Sequence, residues 1–89
     1  MKPYKDLEIT NEYIIREFDD SIDPIELMWH RDDEDRLVEI LDPGKNWKLQ
    51  FENELPWDLE PNMSICILRH EWHRVIKGTG TLKLKIHKS

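Results

Sequence analysis

The sequence predicts an all-β, mostly antiparallel fold, and three observations carry that prediction. No segment longer than about ten residues has a convincing apolar period of 3.6, so amphipathic helices lack support. Several segments alternate with period two instead, the pleat of a half-buried strand. Turn residues interrupt these runs at roughly ten-residue spacing, as in a sandwich or barrel of short strands.

Taken in order, residues 1–23 are expected to supply N-terminal strands and residues 24–86 the body of a single domain spanning 1–89. Glu12 to Phe18 reads as a strand, with Tyr13 and Ile15 on one side and Ile14 and Phe18 on the other. Pro24 to His30 reads as another. Asp32 to Asp35 is too acidic and short for a stable helix and reads as a loop. Arg36 to Leu41 is a strand in which Arg36, Val38 and Ile40 share one face and Leu37, Glu39 and Leu41 the other. Asp42-Pro43-Gly44-Lys45-Asn46 has turn chemistry, Pro fixing φ and Gly supplying a positive φ. Trp47 to Glu52 alternates cleanly: Trp47, Leu49 and Phe51 form a core face, and Lys48, Gln50 and Glu52 face away from it.

After a break at Asn53 to Pro56, Leu59 to Asn62 forms a turn, with Asn62 suited to a left-handed position. Met63 to Leu68 is nearly continuous in apolar residues and is expected to lie at the centre of a sheet. Arg69 to Trp72 is a short turn, His73 to Lys77 a strand, Gly78-Thr79-Gly80 a hairpin turn, and Thr81 to His87 the last strand.

Charge and composition exclude several function classes. A net charge of −6 with a pI near 5.1 argues against non-specific nucleic-acid binding, which needs a basic stripe to displace counterions. The basic residues Lys83, Lys85, His87 and Lys88 alternate with Leu82, Leu84 and Ile86, so they read as the wet face of a strand. No apolar run approaches the ~18 residues of a membrane span, and the first ten residues contain no apolar signal region. Cys66, the single cysteine, lies in the run Ile65 to Leu68 and reads as an inert core thiol. A free buried thiol fits a reducing, cytoplasmic compartment. A domain of this size buries only about 60% of its unfolded surface, so homodimerisation that covers strand edges is expected. Four Trp supply much of the area available for burial.

Two histidines stand out. His30 ends a strand-like run just before the acidic loop, and His73 opens another immediately after a turn. Gly-rich phosphate loops, Cys-x-x-Cys and His-Glu-x-x-His are absent. His70 and His87 read as exposed, and Glu39 is a spare carboxylate on the face opposite Arg36.

The order strand, His, acidic loop, strand, Pro-Gly turn, strand, turn, apolar strand, short turn, His resembles the cupin family, over about Pro24 to Ile86. WHRDDEDRLVEILDPGKNWKLQ looks like the first cupin motif and LEPNMSICILRHEWHRV like the second. The resemblance implies a small jelly roll or double-stranded β-helix barrel. In that family three His and one Glu commonly hold a divalent metal. His30 and His73 stand at the first and last His, but Asp32 stands at the second His and Arg36 at the Glu. Asn62, Leu68, His70 and Lys77 replace the Gly, Pro, Gly and Asn of the second motif.

Two His and a carboxylate are a sensible ligand set for iron, manganese, nickel or zinc. Arg36 puts a permanent positive charge where the fourth ligand would be. Three readings follow, in order. The first is a cup that binds a small organic or anionic ligand through His30, Arg36, Gln50 and His73, with Trp29 or Trp72 as an apolar wall. The second is a metal-dependent enzyme of isomerase or dioxygenase type using His30, Asp32 and His73. The third is a non-catalytic assembly or regulatory protein.

Overall fold

A computed structural model describes residues 4–88. Eight strands run in chain order: β1 (Lys5–Ile9), β2 (Tyr13–Phe18), β3 (Arg36–Asp42), β4 (Lys48–Phe51), β5 (Trp57–Asp58), β6 (Ser64–Ile67), β7 (His73–Ile76) and β8 (Leu82–His87). They form a five-stranded sheet ordered β1-β2-β8-β3-β6 and a three-stranded sheet ordered β5-β4-β7. Every pairing is antiparallel. The described residues contain no α-helix. The all-β fold expected from the period-two runs is observed, and its two antiparallel sheets are consistent with the jelly roll that the resemblance implies.

The core lies between the two sheets, and strand parity determines who enters it. Val38 and Ile40 of β3, Ile65 and Ile67 of β6, and Leu82, Leu84 and Ile86 of β8 point inward, meeting Leu49 and Phe51 of β4. Trp47 is 1% exposed, and its indole N–H donates to the carbonyls of Thr79 and Gly80, both at 3.2 Å. The basic residues of β8 occupy its wetter face, as its alternation predicts.

Four local expectations are corrected. Pro24 to His30 is not a strand: Pro24–Glu26 is a 3₁₀ turn. Pro24 brings a fixed φ and no N–H, and the Asp23 carboxylate caps the Ile25 N–H at 3.1 Å, so local bonds replace a ladder. Met63 to Leu68 yields an edge strand rather than a central one. Ile65 and Ile67 are buried in the core there and Met63 packs against it, while Ser64 and Cys66 point outward. Cys66 is therefore exposed and not a core thiol.

Finally, Gly78 to Gly80 is not a hairpin turn, because β7 and β8 belong to different sheets. The segment crosses between the sheets and is held by Lys45, whose N–H and carbonyl both bond Thr79. Gly78 is required by close approach: a Cβ there would stand 2.0 Å from the Lys45 carbonyl oxygen and 2.4 Å from the Trp47 nitrogen. Gly44, at φ 55°, supplies the left-handed turn that its sequence context predicts.

Candidate functional site

A cavity of about 370 Å³ opens between the sheets. Its walls are the inward aliphatic residues of β3, β6 and β8. Its polar groups gather mainly where the chain passes from His30 to Arg36 beside the start of β7.

Backbone bonds build this cluster. The His30 and His73 peptides exchange hydrogen bonds at 3.0 and 2.9 Å, forming an isolated bridge that extends the smaller sheet. The imidazole centroids lie 4.2 Å apart, edge to face. The acidic loop is tied to the turn before β7: the His70 N–H donates to the Asp32 carbonyl and the Arg69 N–H to the Asp35 carboxylate, both at 2.8 Å. This turns Asp32 inward and leaves Asp33 and Glu34 exposed. Arg36 pairs with Ile67 across the ladder and shares its strand face with Val38 and Ile40, so the pleat directs it into the cavity.

Both imidazoles are held in one tautomer. His30 Nδ1 lies 3.1 Å from the Met28 carbonyl and His73 Nδ1 lies 2.8 Å from the Glu71 carbonyl. A carbonyl can only accept, so Nδ1 carries the proton in each ring and Nε2 presents a lone pair. Nε2 of His73 faces Oδ2 of Asp32 at 3.5 Å. His73 is 3% exposed, and this burial pushes its imidazolium pKa down. Nearby His30 and Arg36 push the same way, against the Glu71 carbonyl bond and Asp32. A neutral His73 and an Asp32 carboxylate thus meet as two acceptors.

One nitrogen of each histidine and one Asp32 oxygen lie within 4.8 Å of one another. Ligands at ~2.1 Å from one ion stand at most about 4.2 Å apart, so a small closure would bring all three onto a divalent cation. Backbone-anchored Nδ1–H groups that free Nε2 are the usual support of metal-ligating histidines. The donor set therefore fits such an ion at three positions. The fourth, where the resemblance implies Glu, is Arg36. Its Nε lies 3.7 Å from the same Asp32 oxygen and its Nη2 lies 3.8 Å from Glu34. These are ion-pair distances, too long for hydrogen bonds, and Nε is a buried donor with no hydrogen-bond partner among the described residues.

Of the residues singled out in the sequence, His30, Asp32, Arg36 and His73 come together. Gln50 does not join them. It sits on the outer face of β4, where it accepts from Arg74 Nε at 2.9 Å and donates to the Glu54 carbonyl at 3.0 Å. The parity that separates it from Leu49 and Phe51 leads to solvent, because those two face the core. Trp29 and Trp72 do not wall the cup. They flank a separate surface pocket with Glu52, each beneath a guanidinium, Arg74 at 4.8 Å and Arg31 at 5.3 Å.

Sequence reasoning missed Arg16, which lines the cavity, forms a two-point ion pair with Asp6 at 2.8 and 3.3 Å, and stacks on Tyr4. Its parity with Ile14 and Phe18 was the available signal. Leu27 and Met28, at the rim, carried none.

No family model matches the chain, and neither does any curated protein. Solved structures do. A cupin-2 domain protein of Shewanella frigidimarina superposes with a TM-score of 0.61 at 15% identity, over 96% of this chain and 78% of that one. A cupin domain of Bordetella pertussis gives 0.62 at 17% identity, over 100% and 98%. KdgF from Halomonas sp. gives 0.64 at 14% identity, over 94% and 76%. At such identities the shared property is architecture, and the chain has the cupin fold.

Proposed function

We propose that this chain binds a small organic acid with an apolar body in its barrel cup. The observation that carries the reading is the buried Nε of Arg36, without a hydrogen-bond partner among the described residues, at a cavity lined mostly by apolar residues with a few polar groups. A buried donor without a partner costs about 1–3 kcal/mol, and a ligand carboxylate would remove that cost. Arginine suits carboxylates because its planar fork donates to both oxygens. The cavity volume falls within the range of small-molecule sites, which are mostly apolar with a few converging polar groups.

A second reading has its own support in the convergence of His30, Asp32 and His73. In it the cup holds a divalent iron, manganese, nickel or zinc ion, which would supply Lewis-acid chemistry to a bound ligand. The three side chains would be its ligands.

One set of measurements on untagged protein tests both. Hexanoate and benzoate should raise the melting temperature, hexanol and benzyl alcohol should not, and Arg36→Met should abolish the difference. At a hundred times its Kd an acid adds about 2.7 kcal/mol, and each kcal/mol is worth roughly 4–8 °C in a chain of this size. Equal shifts from acids and alcohols would sink the first reading. The second expects near-stoichiometric metal in purified protein, lost in His73→Ala. Metal-free protein that takes none up would sink it.

A further inference from the structure

We infer that Arg36 sets how tightly the cup holds a divalent cation, by competing for the Asp32 carboxylate, and that a bound carboxylate ligand relieves this competition. The inference rests on the second reading above. One oxygen, Oδ2 of Asp32, lies 3.5 Å from Nε2 of His73 and 3.7 Å from Nε of Arg36. The oxygen that would complete the three-ligand set is therefore the one the guanidinium already attracts.

Arg36 is held at the cavity, and Asp32 stands on a tethered loop beside it. Strand parity and the pairing with Ile67 keep Arg36 on the inner face, and the Asp32 backbone is tied to His70. A cation entering the cup must share Asp32 with a fixed positive charge. That weakens binding in proportion to how little solvent screens the two charges, and Arg36 is about three-quarters buried, its side chain 24% exposed.

A ligand carboxylate on Arg36 would neutralise that charge and leave Asp32 to the cation. The two occupants then strengthen each other through one side chain, and by linkage the effect is reciprocal. The site becomes selective for the pair over either alone.

Zinc affinity, measured against a chromophoric chelator on untagged protein, tests this. His73→Ala gives the background from exposed His70 and Cys66 and from half-buried His87, which pairs with Glu39. Arg36→Gln should bind zinc about tenfold more tightly than the parent, within the usual 5–150-fold range of such couplings. Arg36→Lys, which keeps the charge, should stay weak. Benzoate should tighten zinc binding in the parent and leave Arg36→Gln unchanged. An Arg36→Gln protein whose zinc affinity equals or falls below that of the parent overturns the inference. Arg36→Met, checked by circular dichroism, serves the same purpose if Gln misfolds. A metal-free parent counts against the second reading alone. A zinc site gained on removing Arg36 still upholds the inference.

Discussion

His73 joins fold and site more closely than any other residue. Its peptide bridges to His30, its ring packs against Phe51 at 6.3 Å, and its Nε2 faces Asp32. Burial lowers its pKa, and this gives stability a pH dependence of definite sign. The unfolded histidine titrates near ~6.5 and the folded one below that, so in the window between them the unfolded chain binds more protons. The stabilisation is complete above ~6.5 and is lost as pH falls through the lowered folded value. His73→Gln removes the titration. The stability advantage of the parent over this variant should therefore be larger at pH 7.5 than at pH 5, as read from urea melts at both pH values. An advantage of equal size at both would contradict the neutral, buried imidazole.

At the scale of elements, the crossing from β7 to β8 is the most constrained joint. Trp47 is anchored to it through the Thr79 and Gly80 carbonyls, and Gly78 touches the backbone beneath. Gly78→Ala must displace backbone rather than a flexible side chain. Overpacking of this kind costs about 1–3 kcal/mol, or a fall in melting temperature of roughly 10 °C in a chain of this size. A melt within 2 °C of the parent would refute it.

The same elements explain what was legible in the sequence. Period two exposed the strands because one face of each is buried, and it ordered Arg36, Val38 and Ile40 correctly. It did not reveal neighbours. The apolar content of Met63 to Leu68 reads the same in a central strand as in an edge strand that contains exposed Cys66 and is followed by exposed Leu68. Gln50 was assigned to one of two faces, but which face is the lumen depends on the partner sheet. Pro24 signalled a local turn, and the apolar residues after it masked that signal. The meeting of His30 with His73 spans some forty residues and lies beyond any local period, so only the resemblance to known motifs anticipated it.

At the scale of the molecule, the two edges of the larger sheet differ in a way that predicts assembly. β1 carries Lys5, Asp6 and Glu8 and a register irregularity between Asp6 and Glu8, devices that discourage edge pairing. β6 is uncharged and regular. The Ile40 N–H donates to the Met63 carbonyl, and antiparallel alternation then turns Ile65 and Ile67 toward β3. The backbone groups of Ser64 and Cys66 are left facing outward. Beside them Leu37 is 41% exposed and Leu68 57%. The chain is therefore predicted to dimerise by antiparallel pairing of β6 with a second copy about a two-fold axis. Sedimentation equilibrium at tens of micromolar should give twice the chain mass of 10.8 kDa. Cys66→Lys would set like charges across the axis and should yield monomer, since like charges directly opposite destabilise strand pairs. Mild oxidation should cross-link the parent through Cys66, because the axis brings the two copies of that strand together. A parent that sediments as a monomer at this concentration, or a Cys66→Lys variant that remains dimeric, rules out this edge as the interface.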